Sequence, residues 1–577
     1  MCTAFLMAFN SSILADAFEI NQRLGRGINM GNMLEAPSEG AWGVTFQDNY
    51  FTEIAGKGFQ SVRIPIRWSA EDRTSLEAPY TVNETFFARV DHILNLAREA
   101  GLNAVINMHH YDELFQDATG FHRDRFLAIW RQVSERYKDY PDSLVFEVLN
   151  EPNTDLTAER WNTLFAEALA IIRETNPTRA VIVGTANWGG VAGLTNLVLP
   201  EDDNLILTVH YYNPFSFTHQ GAEWVSGANA YLGTTWEGSY LQKISVVNEM
   251  AAVRWFSEKY SLPVFVGEFG AYSKADITSR ATWTSYCARL FESFGFSWAY
   301  WEYCAGFGIY DPNREVYNDA LVNALLSSDT SNLKLEVKYP EGIDLAENGT
   351  FSSGKQSWNF GVWDTTGRAT AAVVDSELVV TVTKMPANPW GMQLQQGSIS
   401  LVKDARYVLM FDAYADTPVT IEASVMLAEA PWTVYGGTGN AFLTSEKKTF
   451  SGEFIMKVDD PNGRISFNLG TIPAHITIDN VKLIQVGSNS PVINSLKSTG
   501  KIESWHVSNG KLNLSLDGFS GQNTKISLFT VQGRLVRSVN CDVKNEAIKI
   551  PVGKASGFYV LRIESAQKKL QDRILLP

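Results

Sequence analysis

Two short apolar runs in this 577-residue chain each end in a carboxylate. Residues 144–149 deliver Asn150 and Glu151 side by side ahead of Pro152, and residues 263–267 deliver Glu268 ahead of Phe269 and Gly270. A carboxylate removed from water needs a partner or a shifted pKa, so ending an apolar strand on one is costly. Local violations of this kind gather at functional sites. Two strand-end glutamates supply what cleavage of a glycosidic bond requires: one carboxyl protonated to serve the leaving oxygen, the other ionised to attack the anomeric carbon. Retention needs the two carboxyls about 5–5.5 Å apart and inversion needs them wider. Spacing along the chain leaves that choice open.

Such a pair needs a scaffold. Between Gly25 and Tyr303, strand-like runs at 25–31, 61–66, 104–109, 144–151, 180–185, 205–212, 263–270 and 297–303 alternate with amphipathic stretches. Phe87, Val90, Ile93, Leu94 and Ala97 mark one face of a predicted helix over 84–100, with Gly101 placed to cap it, and a second helix is predicted over 160–175. Eight strands alternating with helices predict a (β/α)8 TIM barrel, in which the C-terminal strand ends build the site. Those ends carry Asn32, Arg67 and Trp68 (with Arg63 inside the run), His109 with His110, Asn150 with Glu151, Asn187 with Trp188, His210 with Tyr211 and Tyr212, Glu268, and Trp301 with Glu302. Caps and turns would place Asp, Ser, Gly and Pro there; one polar pair would fit that reading, but the whole set does not.

Each residue has a use in that chemistry. The Asn150 amide suits a sugar 2-hydroxyl, and Arg63 and Tyr212 suit an ionised nucleophile that they orient by charge-assisted hydrogen bonds. His210 is placed to tune the acid/base, and Trp301 to form a stacking floor. His109, His110, His210 and His219 would be the ligands of a metal site, but they lack the HExxH arrangement. No metal and no cofactor is therefore expected for catalysis.

Composition bounds the rest. The chain is too long for one core, its net charge of −15 argues against nucleic acid as partner, and Trp 16, Tyr 21 and Phe 32 are plentiful enough for both cores and sugar platforms. Four scattered cysteines form no disulfide framework or zinc spacing, and no apolar run reaches membrane-span length. Residues 1–17 are read as a signal-peptide remnant that lacks a positive start. The barrel is assigned to 18–330, a linker to 331–343, a β jelly-roll sandwich to 344–486, a second linker to 487–492 and a small β-sandwich to 493–577. A monomer is expected.

The segments GRGINMGNMLEAP, GFQSVRIPIRW, INMHHYDE, VLNEPN, VHYYNPFSFTHQGAEW, VGEFGAY and WAYWEYCAGFGIYDP resemble glycoside hydrolase family 5, in particular its branch with cellulase and mannanase activity. The resemblance implies a retaining endo-β-1,4-glucanase with Glu151 as acid/base and Glu268 as nucleophile. It also implies substrate contacts at Asn32, Arg63, His109, His110, Asn150, His210, Tyr212 and Trp301, with His219 and Trp224 on the loop beyond strand six and Trp188 as a cleft aromatic. NGTFSSGKQSW, NPWGMQLQQ and ITIDNVKLIQV resemble carbohydrate-binding modules of families 4 and 9. Trp363, Trp390, Gln393, Trp432 and Tyr435 are its candidate sugar contacts, and such modules leave room for a structural calcium. ISLFTVQGRLVRSV and GFYVLRIESAQKKLQDRILLP resemble a type IX secretion sorting domain, which implies a secreted or surface-attached chain that meets the secretion machinery. The competing reading is a non-catalytic polysaccharide-binding or adhesive surface protein, against which both carboxylates stand with their neighbours intact.

Overall fold

The computed structural model describes residues 16–335 and 340–486, and in the C-terminal segment residues 501–508, 511–517, 523–530, 535–542, 548–552, 557–565 and 569–576. The chain divides into two compact units, Met1–Val486 and Gly487–Pro577.

In the first unit, β1 (Arg26–Asn29), β2 (Ser61–Ile64), β3 (Asn103–Asn107), β4 (Leu144–Glu147), β5 (Val181–Val183), β6 (Leu205–Tyr211), β7 (Val264–Phe269) and β8 (Ser297–Tyr300) close in that order into a parallel barrel. These are the eight predicted runs, each of them shorter at its C-terminal end. β4 ends at Glu147, so Glu151 lies in the loop beyond it, although the Asn150 N–H still donates to the Met108 carbonyl at 2.9 Å. Between strands the apolar stripes bury as the 3.6-residue period requires. The helix Glu84–Glu99 buries Phe87, Val90, Ile93, Leu94 and Ala97, starts at the Asn83 cap and stops before Gly101, whose φ of +74° suits glycine.

The helix Ala17–Leu24 plugs the N-terminal mouth: Ala17, Ile20 and Leu24 share a buried cluster with Val105, Val145, Ile182, Ile206, Phe265 and Ala299. Asp16 caps this helix through the Glu19 N–H at 2.9 Å. The barrel therefore begins ahead of the predicted boundary at 18; the remainder of the signal-peptide reading, 1–15, lies outside the described residues. At the other end, Asn332 donates to Ser285 of the barrel at 3.1 Å, and Gly342–Asp344 already pairs with the strand Ala474–Val486. The linker is thus shorter than 331–343, and the 487–492 linker lies outside the described residues.

The second layer system is a sandwich of a six-stranded and a five-stranded antiparallel sheet, with Leu378, Leu394, Leu409, Phe411, Ile421, Phe467 and Ile476 in its core. Among its strands are Asn359–Val362, Arg368–Val374 and Val434–Leu443. RATAAVV offers no large apolar residue and VYGGTGNAFL carries three glycines, so neither shows the usual strand signature. The sandwich is docked, not tethered loosely. The barrel helix Tyr240–Tyr260 buries Leu241 with Val408, Met410 and Ile484, donates from the Asn248 amide to the Thr449 carbonyl at 2.8 Å, and sets Trp255 against Phe442.

The second unit pairs a three-stranded sheet with a four-stranded one around Leu512, Leu514, Ile526, Leu528, Ile550, Leu561 and Ile563.

Candidate active site

Arg63 is the hub of the barrel mouth and is fully buried. Its Nε and Nη2 donate to both oxygens of Glu147 at 2.6 and 2.8 Å, Nη1 donates to Asn29 at 2.8 Å and to Glu268 Oε1 at 2.7 Å, and Nη2 donates to Asn150 Oδ1 at 2.7 Å. Burial opposes the guanidinium charge, but Glu147 and Glu268 outweigh it and raise its pKa. A buried charge is tolerable only when paired and saturated with hydrogen bonds, and here all three nitrogens are engaged. The other oxygen of Glu268 accepts from the Tyr212 hydroxyl at 2.9 Å. Burial, then the carboxylates Glu268 and Glu151, push the Tyr212 phenol well above its ordinary pKa, so it remains a donor.

Glu151 arrives from the opposite side of the mouth. Its backbone sits at φ +46°, a left-handed conformation that a non-glycine residue adopts only when its surroundings enforce it. This turn lets Asn150 and Glu151 both face inward, which strand alternation would forbid. Glu151 accepts from or donates to His210 Nδ1 at 2.7 Å, and the same nitrogen lies 3.6 Å from Glu268 Oε2. Burial works against a charged His210, but Glu268 and Glu151 raise its pKa overall. Glycine at 189 makes the close approach possible: a Cβ there would meet His210 Cγ at 3.3 Å and Glu151 Cγ at 3.5 Å. One ligand atom each from Glu151, His210 and Glu268 lie within 4.8 Å of one another. A divalent cation seated among them would face the Arg63 guanidinium bound to Glu268, so the trio suits proton chemistry better than metal binding.

The walls complete the cleft. His109 lies 4.0 Å from Glu268 Oε1, and its ring is parallel to Trp301 at 5.5 Å between centroids. Burial above all, with His110 and Arg63 nearby, holds His109 well below the ordinary imidazole pKa. His110 meets His109 and Trp42 edge-on. Asn32, at φ +66°, follows Gly31, where a Cβ would meet the Trp301 ring at 3.0 Å. His219 contacts Tyr212 edge-on and is stacked by Phe215 at 4.1 Å, while Trp224 packs on Tyr272 and is 60% exposed. Trp188, 57% exposed, stands across the mouth beside Glu151, its N–H bonded to the Pro152 carbonyl. All eleven predicted barrel contacts and both carboxylates thus gather at one end of the barrel.

Three supports were given no part by the sequence. Glu147 neutralises Arg63, and the signal was a charge inside the apolar run LVFEVL. Glu35 and Glu302 are buried carboxyls that gather backbone N–H groups, Glu35 those of Asn32 and Met33, Glu302 those of Cys304, Ala305 and Phe307. Burial pushes their pKa values up to about 8 and about 7. They brace the loops that carry Asn32 and Trp301.

In the module, the five-stranded sheet presents a polar row. Gln393, Asn468, Glu422 and Asn440 are directly opposite one another on successive strands and so share a face. Gln393 donates to Asn468 at 2.8 Å, and Asn468 to Glu422 at 2.7 Å. Trp363 and Trp390, each more than half exposed, stand at one end of this face, tied through the Trp363 N–H to the Gly391 carbonyl. Trp432 lies apart from them beside Arg464, whose guanidinium covers its ring at 4.9 Å. Tyr435 is half-buried: it packs against the module core, and its hydroxyl donates to Asp460 at 3.0 Å. Among the described residues no three acidic, histidine or cysteine side chains of the module converge, so a calcium there would draw on backbone or amide oxygens.

Comparison with known proteins agrees with this division. Residues 25–306 match the family described as cellulase (glycosyl hydrolase family 5), residues 344–475 match a carbohydrate binding domain, and residues 508–576 match a secretion system C-terminal sorting domain. The last marks a secreted or surface-attached chain. Endoglucanase H of Acetivibrio thermocellus is 35% identical over 322 residues, which cover 55% of this chain and 34% of that one. The chain thus spans about a third of that curated relative. The crystal structure of endoglucanase Cel5A from the hyperthermophilic Thermotoga maritima is 50% identical and covers 54% of this chain and 100% of that one, with a TM-score of 0.53. The Thermotoga enzyme has also been solved with cellobiose and, at 49% identity to this chain, with mannotriose. Among the described residues no helix is long and apolar enough to cross a membrane.

Proposed function

Since the chain belongs to glycoside hydrolase family 5, we propose that it is a retaining, endo-acting hydrolase of internal β-1,4 bonds in glucan, and also in mannan or glucomannan. The observation that carries this is the approach of Glu151 and Glu268 oxygens to within 4.8 Å around one imidazole. This close approach supports a double displacement, which needs the two carboxyls about 5–5.5 Å apart.

Glu268, with both oxygens held, is the nucleophile. Arg63 and Tyr212 fix its orientation, so little reorganisation is left for the attack. Glu151, its side chain 26% exposed against 6% for Glu268, is the acid/base and has access to solvent protons. In the first step Glu268 bonds to the anomeric carbon, the glycosidic C–O bond breaks, and the Glu151 proton goes to the leaving oxygen. In the second, Glu151 takes a proton from water, the water oxygen bonds to the anomeric carbon, and the Glu268 ester breaks. Asn150 accepts from Arg63 through Oδ1, which aims its NH2 into the cleft for the sugar 2-hydroxyl. Trp188, Trp224 and Trp301 supply stacking surface, and Asn32, His109, His110 and His219 reach the remaining hydroxyls. That the Thermotoga relative has been solved with both cellobiose and mannotriose supports tolerance at C2.

Reducing ends released from barley glucan, carboxymethylcellulose and glucomannan test the reading. The full chain is expected to cleave glucan, and Glu151→Gln and Glu268→Gln each to lose several orders of magnitude without loss of fold. Azide is expected to rescue Glu268→Gly. Full activity in either Gln variant overturns the assignment.

A further inference from the structure

A cavity of about 920 Å³ lies between the barrel and the sandwich, outside the catalytic cleft but next to it. Its barrel wall includes Gly190 and Phe215. Gly190 follows Gly189, the residue packed on His210 and Glu151; Phe215 stacks on His219, which contacts Tyr212. At both residues the wall therefore adjoins the walls of the cleft. The sandwich wall includes Pro389, the neighbour of exposed Trp390, and Asn440, the last residue of the polar row. The docking of the helix Tyr240–Tyr260 described above holds the two walls at a fixed spacing.

We propose that this cavity is a glycan-binding site that joins the catalytic cleft to the polar face of the module, so that one β-1,4-linked chain occupies cleft, cavity and module together. The inference rests on the family 5 activity proposed above. A pocket with apolar walls and a few placed amides suits a sugar chain, whose rings offer apolar faces and whose edges offer hydroxyls. Asn440 and Thr420 supply the polar edge; Phe215, Trp255 and Phe442 supply the apolar one. The chain leaves the cleft past Trp188, crosses Gly190, and reaches the row Asn440, Glu422, Asn468 and Gln393, of which the last three are already chained by hydrogen bonds. A joint site makes the second contact intramolecular, which raises affinity for long chains and leaves short ones unaffected.

Filling the cavity tests this. Ser245→Trp and Thr420→Trp close it from the barrel side and the module side, and neither position belongs to the catalytic machinery. In the full chain each is expected to lower kcat/KM on long soluble β-glucan by about tenfold, the loss of one good contact, while turnover of cellotetraose stays at the wild-type value. Migration through a native gel cast with β-glucan is expected to be retarded less than that of the wild type. Asn440→Ala, which adds no bulk, is expected to shift both readouts the same way if either tryptophan lowers the melting temperature. Unchanged polymer kinetics and unchanged retardation in all three variants overturn the cavity site. A wild-type chain that cleaves no β-1,4-glucan overturns the activity instead, and retardation in the gel then still reads the cavity.

Discussion

Tyr212→Phe isolates one hydrogen bond to the nucleophile. The hydroxyl donates to Glu268 Oε2 at 2.9 Å, while Oε1 keeps its bond to Arg63. The ring itself contacts His219 and Phe307 edge-on, and phenylalanine retains both contacts. What is lost is a bond to a charged acceptor in a mostly buried place, worth about 1.5–3 kcal/mol. If the second oxygen must be held for attack, that energy enters the barrier. At about 1.4 kcal/mol per decade, kcat/KM on cellohexaose falls roughly 10- to 150-fold. Stability changes far less, because the ring stays packed, so the melting temperature moves by a few degrees at most. The assay is kcat/KM on cellohexaose beside thermal melting and near-ultraviolet circular dichroism. A fall below about threefold would show that Arg63 alone orients Glu268, and a large fall accompanied by lost tertiary signal would assign Tyr212 to the fold.

Further outcomes concern acid stability, domain docking and substrate range. Burial holds the His219 pKa down at about 4, against 6.5 for an unhindered imidazole. Between those values the unfolded chain holds the extra proton, so acid favours unfolding; stability falls from pH 6.5 to pH 4 by an amount on the order of 3 kcal/mol, and His219→Gln flattens that part of a melting-temperature profile. Leu241→Asp sets a charge in the apolar contact with Val408, Met410 and Ile484, so the sandwich undocks. Proteolysis between the barrel and the sandwich should then accelerate, with cellotetraose cleavage retained and activity on insoluble cellulose reduced. Cellohexaose and mannohexaose should give kcat/KM values within about 10⁴ of each other, since a wider ratio is what one buried hydrogen-bond mismatch produces.

The barrel and its site were largely legible because both leave periodic marks. Apolar strand runs set the eight positions, and polar residues appeared at one end of each. What stayed hidden depends on partners remote in sequence. Glu147 sits within an apolar run as though misplaced; only the arrival of Arg63 from the second strand explains it. Gly189 matters through a side chain 21 residues away, and Glu151 faces inward by a backbone twist that its type does not announce. The half-burial of Tyr435 against the module core and its bond to Asp460 were equally invisible, since both partners lie remote in sequence. The docking of the sandwich was equally hidden: Leu241, Asn248 and Trp255 read as one more helix face until Val408, Thr449 and Phe442 met them.

The central claim is that Glu268 becomes covalently attached to sugar while Glu151 handles the proton. A 2-deoxy-2-fluoro-β-cellobioside with an activated leaving group slows the second step and traps the intermediate. After digestion and mass spectrometry, the account predicts one glycosyl group on the peptide containing Glu268, and release of a β-anomer as first product when NMR follows a cellooligosaccharide. A label on Glu151, or an α-anomer at early times, would contradict it.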